Sequence, residues 1–468
     1  MKPKIVAIAA ALLLVASACD RLPFVGGGGE ERTVLVDYSH DEFASFFLAN
    51  FPRKIQVTPG TTVVFRQTWT GEPHTVTGGT SIDKAVGSPL LKFVTAFENL
   101  AAAGVELPNP EGPPTDATLG DVIEIVEESE ESEDRTNFLE AYDEMADDGE
   151  VPDRDEAKDV TFGEFVEDVD PKIEEAFSSV PFAFNEETND IAQNVGQPCY
   201  LTRGAPPKDP DKPCAQQEQP EFNGTQSFYS SGIIPYEGPQ GNTYNVRLSD
   251  NIDPGKYFFY CAIHGPGQST EVTVRPAGTD IPTQEEVSRQ ARKEIDLGAK
   301  PLEKVYRAAV DDGRIQFGGP DGPSTLRGPF AGLFSQDYDH AVINEFVPRQ
   351  LEVARNEPIS WKMMGAEHTI TFGVPRYFPI VQFLDNGKIR FNPRLRAAAG
   401  GAEKAPEYQD GPEPLEHDAG TYDGSGFWST GSMGADTYVD VTMRISEPGT
   451  YDFACLIHPP MVGKITVT

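Results

Sequence analysis

Near the C-terminus, Cys455, His458 and Met461 form a Cys-x2-His-x2-Met run, and His368 stands alone 87 residues before the cysteine. Thiolate, imidazole and thioether are soft and borderline donors of the kind that hold transition metals. Earlier in the chain Cys261 and His264 keep the same spacing, with His74 far upstream. That second set lacks the methionine: its loop continues Gly265-Pro266-Gly267-Gln268-Ser269, and Gln268 stands four residues after His264. Taken singly, each cysteine reads more readily as a buried core thiol and each histidine as a satisfied loop residue. A Cys-x2-His pair is also half of some zinc patterns. Each set has one such pair and no second, which disfavours a closed tetrahedral zinc site.

The segments that carry these residues recur in the same order. Phe51-Pro52-Arg53-Lys54-Ile55-Gln56-Val57 matches Val347-Pro348-Arg349-Gln350-Leu351-Glu352-Val353, and His74 follows Pro52 by 22 residues where His368 follows Pro348 by 20. Phe228-Tyr229-Ser230-Ser231-Gly232 matches Phe427-Trp428-Ser429-Thr430-Gly431. Pro254 to His264 matches Pro448 to His458. Three blocks repeated in order indicate a duplicated unit. The blocks are Val-, Ile-, Thr- and aromatic-rich, alternate with polar residues and end in Pro-Gly or Gly-rich turns, so they read as short strands of antiparallel sandwiches. Between its lone histidine and its Cys-His block each repeat has an insertion. The first, about 81–222, includes helical patterns at Pro89–Ala102 and Leu119–Glu127; the second, about 374–422, contains a hairpin signal around Asn386-Gly387. Thr283–Leu297 and Pro301–Asp311 predict two helices joining the repeats.

The Cys-x2-His-x2-Met loop, the closing segment Gly463 to Val467 and the upstream histidine together resemble the cupredoxin (blue copper) family, with loop spacing most like amicyanin and pseudoazurin. The resemblance implies a mainly β chain of two tandem Greek-key sandwiches, the first with a largely helical or irregular acidic insertion. It implies copper as the cofactor, one or two ions. His368, Cys455 and His458 would be the strong ligands of site two and Met461 its weak axial ligand. In site one the matching positions are His74, Cys261 and His264. Gln268 stands where azurins place their axial methionine and is similar to the stellacyanin variation. An oxygen donor in place of a thioether favours Cu(II), so site one is expected at the lower potential.

The other three cysteines have separate readings. Residues 1–18 have a basic start and an apolar run from Ile5 to Ala18, too short to span a bilayer comfortably. Ala16-Ser17-Ala18 before Cys19 resembles a bacterial lipobox, which implies lipidation of Cys19, a tether over 19–32, and a protein held outside the cytoplasm at a membrane surface. The alternative is an ordinary signal peptide. Cys199 and Cys214 flank a Pro- and Lys-containing loop and are expected to form a disulfide, worth roughly 3 kcal/mol by loop entropy; a copper-trafficking thiol pair is the alternative. The expected domains are 33–276 and 331–468, linked by a partly helical 277–330. His40 and His340 recur in similar Tyr-x-His contexts and read as hydrogen-bonded strand histidines rather than ligands. His417 reads as an exposed loop residue.

The net charge of −36 makes nucleic acid an unsuitable partner. Residues 121–190 hold 27 acidic and 4 basic residues, so most of the charge belongs to the first insertion. Such runs form a solvated face or mobile loop; they could also dock a basic redox partner and speed association. Arg376, Lys388, Arg390, Arg394 and Arg396 form a contrasting basic cluster in the second insertion. The function expected is electron transfer without catalysis. An oxidase or nitrite reductase would need a His-x-His or His-Cys-His motif, which the sequence lacks. Copper storage, delivery or sensing is the main alternative, with Met363-Met364 its faint support; a surface scaffold with structural copper is another.

Overall fold

The computed structural model describes residues 30–40, 45–67, 74–102, 105–108, 116–130, 132–178, 220–232, 243–317, 324–335, 338–375, 381–383, 389–391, 415–433, 439–458 and 461–468, with Phe43 and Ile234. Cys19, Cys199 and Cys214 lie outside these residues, as does most of the second insertion, including Arg376, Lys388, Arg394 and Arg396 of its basic cluster.

The chain is mainly β and builds two sandwiches. In the first, strands Asn50–Phe51, Glu31–Val36, Thr62–Gln67 and Thr243–Arg247 form one sheet in that order. The facing sheet runs Lys54–Val57, Gly265–Val274, Gly255–Cys261, Thr77–Gly78, Tyr229–Ser230. Alternation explains how one face is buried: Glu31–Val36 is buried at every second residue. Val34, Val36, Phe65, Val246, Phe259 and Val272 fill the space between the sheets.

The second sandwich repeats the plan. Its five-stranded sheet runs Gln350–Val353, Val462–Val467, Gly449–Ala454, Thr371–Phe372, Trp428–Ser429, with the same parallel and antiparallel pairings as its counterpart. The facing sheet runs Ser45–Phe47, Tyr338–Val347, Phe330–Ser335, Ile359–Met363, Val439–Ile445, Leu415–Tyr422. Trp361, Phe346, Phe372 and Phe453 form its aromatic core.

Three features depart from expectation. Leu415–Tyr422 belongs to the sandwich, paired parallel to Val439–Ile445, although an insertion was expected to run to 422. His417 is consequently a half-buried strand residue rather than an exposed loop one, and burial lowers its pKa. The two helices expected at Thr283–Leu297 and Pro301–Asp311 are one, Gln284–Asp312, with Pro301 buried inside it. A Thr283–Glu286 capping box starts that helix and Gly313, at φ 62°, ends it. Its buried face, Ala291, Ile295, Ala299 and Leu302, gains from packing what the proline loses in hydrogen bonding.

That helix packs into a core contributed by both repeats: Phe47 and Phe51 from the first, Phe330, Leu333 and Ile343 from the second. Moreover Ser45–Phe47, although it precedes the first sandwich's Lys54–Val57, pairs antiparallel with Ala341–Ile343 in the second sandwich's sheet. The acidic insertion folds as helices Thr80–Val86, Pro89–Ala102, Leu119–Glu128, Glu133–Asp147 and Phe162–Ser178. It has its own core, with Phe93, Phe97, Phe138, Tyr142 and Phe165 buried. Its carboxylates therefore stand on helix surfaces around an apolar centre.

Candidate metal centres

Cys261 ends the strand Gly255–Cys261 and Cys455 directly follows the strand Gly449–Ala454; in each sandwich the nearby histidine sits in the loop that comes next, and the upstream histidine approaches from the neighbouring segment. Both sets expected from the sequence come together: the potential ligand atoms of His74, Cys261 and His264 lie within 4.8 Å of one another, as do those of His368, Cys455 and His458.

At site one, Cys261 Sγ is 3.8 Å from His74 Nδ1 and 3.5 Å from His264 Nδ1. The two Nδ1 atoms are 3.1 Å apart. Gln268 joins them. The ladder between Gly255–Cys261 and Gly265–Val274 shifts register between Gly265 and Ser269, and this irregularity turns Gln268 inward. Its side chain is fully buried, with Oε1 3.0 Å from both Nδ1 atoms. At site two, His368 Nδ1 and His458 Nδ1 are 3.0 Å apart, and Cys455 Sγ is 3.6 Å from His458 Nδ1. Met461 is buried beside them; its N–H donates to the His458 carbonyl and its carbonyl accepts from Cys455 N, both at 2.9 Å.

Both thiols are made easier to ionise than an ordinary cysteine. Burial pushes the Cys261 thiol up, but the charge of His264 and hydrogen bonds from His264 and His74 outweigh it and hold the pKa well below its ordinary value. At Cys455 burial is likewise outweighed, by hydrogen bonds from His368 and His458. Burial opposes a charge on His74 too, yet hydrogen bonds to Asp37 and Cys261 raise its pKa.

A buried hydroxyl relay supports each cluster, and it was not singled out from the sequence. Thr75 N donates to Cys261 Sγ at 3.3 Å, while Thr75 Oγ1 accepts from Ala262 N at 2.7 Å and contacts Thr77 Oγ1 at 3.0 Å. Thr77 in turn meets Ser230 Oγ at 3.0 Å. Site two has the same arrangement in Thr369, Thr371 and Ser429, with Thr369 N donating to Cys455 Sγ at 3.4 Å. The readable signal was His-Thr-x-Thr at both upstream histidines.

Asp37 was also missed. It is fully buried, and its Oδ2 lies 3.0 Å from His74 Nε2. Its Oδ1 accepts from Tyr38 N at 2.5 Å and Phe47 N at 2.7 Å. With the carboxylate accepting from Nε2, a neutral His74 would present its Nδ1 lone pair to the cluster in place of the Nδ1–H that donates to Cys261. A lone pair there, a carboxamide oxygen and a thiolate converge on one point, a donor set that a soft or borderline cation satisfies.

His40 is outside both clusters: its N–H donates to Ser45 Oγ at 3.1 Å, and its ring stacks on Phe43 at 4.4 Å. It lies beyond any strand, contrary to expectation, whereas His340 is within Tyr338–Val347.

No protein-family model matches the chain, and no curated protein matches it. Among solved structures it is similar to a mutant fern plastocyanin at 18% identity, covering 27% of this chain and 89% of that one with a TM-score of 0.14. It is also similar to a purple cupredoxin from Nitrosopumilus maritimus at 17%, covering 27% and 83% with a TM-score of 0.13. A mutant amicyanin in its Cu(I) form matches at 16%, covering 26% and 73% with a TM-score of 0.11.

Proposed function

We propose that this chain is a copper-binding electron-transfer protein with two type 1 centres, and that it carries electrons without catalysing bond chemistry. The observation that supports this most is the buried convergence, twice in one chain, of a thiolate and two imidazole Nδ1 atoms. His74, Cys261, His264 and Gln268 would hold one ion; His368, Cys455, His458 and Met461 would hold the other. Copper bound there supplies one-electron exchange between Cu(I) and Cu(II).

The residues' own work is preorganisation. The threonine relays fix the backbone that donates to each thiolate. Burial of His74, His368 and His458 at 0% exposure excludes water and leaves little room for a substrate. Site one's carboxamide donor and the Asp37 carboxylate both favour the more highly charged ion, which supports a lower potential there than at site two. Export and anchoring through lipidated Cys19 are part of this proposal; among the described residues no helix is long and apolar enough to cross a membrane. A basic redox partner docking on the acidic helical face completes it, with an association rate that falls as salt rises.

The test is a visible spectrum and copper analysis of the loaded protein. An intense thiolate-to-copper band with two coppers per chain is expected. Copper bound without that band would favour storage or delivery instead.

A further inference from the structure

The two clusters are separate in sequence, yet one side chain touches both. The Phe46 ring lies 6.4 Å from the His264 ring at an interplanar angle of 36°, and 5.8 Å from the His458 ring at 21°. The loop histidines of the two sites therefore both pack near a single aromatic ring, their ring centres separated by no more than the sum of those distances. Phe46 is only 3% exposed, so its ring is packed among protein atoms rather than bathed by solvent.

The position of Phe46 is over-determined. Its segment, Ser45–Phe47, is a first-repeat strand inserted at the edge of the second sandwich's sheet, with Phe46 paired to Val342. The next residue donates its N–H to Asp37 Oδ1 at 2.7 Å, and Asp37 Oδ2 meets His74 Nε2 at 3.0 Å. The segment is thus tied to the upstream ligand of site one, to the loop histidines of both sites and to the second sheet. A side chain that merely filled a core would need none of these links to the clusters.

We infer that Phe46 is the bridge through which the two centres exchange electrons within one molecule, making the chain an internal relay rather than two independent carriers. The inference rests on the copper reading above. The path runs from the site-one cluster through the imidazole of His264, across the Phe46 ring, and through the imidazole of His458 to the site-two cluster. In the step one electron leaves Cu(I) at site one, which becomes Cu(II), and arrives at Cu(II) of site two, which becomes Cu(I). No bond forms or breaks and no proton moves. Electron tunnelling weakens steeply with distance and less steeply through packed atoms, so an interposed ring raises the rate over an equal empty gap. The direction follows from the lower potential proposed for site one. Access points the same way: His264 is half-buried whereas His458 is fully buried. Electrons would enter at His264 and rest at site two.

The test is pulse reduction of the copper-loaded full chain by a one-electron reductant, following the two thiolate bands. Intersite equilibration should be first order, with a rate independent of protein concentration. Phe46→Leu should slow it roughly tenfold, equivalent to about 1.4 kcal/mol of barrier, with copper content, spectra and potentials unchanged. Phe46→Tyr should restore it. Pulsed paramagnetic resonance of the doubly oxidised protein measures the intercopper distance in each variant; an equal distance in wild type and Phe46→Leu assigns the lost rate to the ring. Bands that equilibrate only by collision between molecules, or a Phe46→Leu rate equal to wild type, would overturn the inference. So would a slower Phe46→Leu rate explained by a longer intercopper distance. Absence of the thiolate bands in wild type would instead remove the copper reading itself.

Discussion

Beside the upstream histidine of site one stands Asp37; at the same place in site two stands Gly332. Each follows the last residue pair of a parallel pairing, Val36 with Gln67 and Ala331 with Met363, and each has a positive φ, 66° and 79°. Asp37 places a carboxylate oxygen 3.0 Å from His74 Nε2. At Gly332 a Cβ would fall 2.0 Å from His368 Nε2, so no side chain can stand there unless the histidine moves. The axial positions differ in the same sense, a buried Gln268 against a buried Met461. The thiolate, the two imidazoles and the hydroxyl relay are shared, while the residues around them differ by one negative charge and by one oxygen in place of sulfur. On the proposed copper reading, duplication kept the residues that would hold the metal and altered those that would set its potential.

The comparison breaks most completely at the thiolates. Cys455→Ser should abolish the site-two band and leave one copper per chain, and Cys261→Ser should do the same at site one; metal analysis with visible absorption checks both. If either substitution left the spectrum intact, its cluster would not be a type 1 centre. Gly332→Ala should come next. It adds backbone strain of roughly 1–3 kcal/mol at a positive φ as well as the clash with His368. Copper titration should find site two weakened and site one unchanged.

Asp37→Asn sharpens the comparison by removing only the charge. Mutation of such an outer hydrogen-bond partner typically lowers metal affinity roughly 10–100-fold. The loss should fall more heavily on Cu(II), raising the site-one potential by about 60 mV for each tenfold difference between the two oxidation states. Gln268→Met should shift site one upward and Met461→Gln should shift site two downward, with both sites still loaded. Voltammetry of each variant reads these changes directly; equal potentials before and after exchange would leave the axial residues without a tuning role.

Much of this was legible from the chain. The candidate ligands sit in contiguous blocks of fixed spacing, and the repetition of three blocks exposed the doubled plan. Gln268 was nameable because the loop fixes its distance from His264. Asp37 was not, because it reaches His74 only through the parallel pairing of Glu31–Val36 with Thr62–Gln67, which no local pattern encodes. The neighbouring His40 drew attention as the residue with obvious chemistry, and it packs on Phe43 instead. Phe46 was hidden for the same reason, since a three-residue segment whose residues are all buried carries no sign of pairing with the other repeat. Pro301 suggested a helix break, and burial of the helix face across both repeats overrode it.

The central claim is that two like centres are tuned apart by Asp37 and the axial residues. A spectroelectrochemical titration of the copper-loaded wild-type protein, with Cys261→Ser and Cys455→Ser assigning the bands, tests it most directly. Two one-electron waves are expected, with site one reduced at the lower potential. A single shared wave, or site one reduced before site two, would contradict the account.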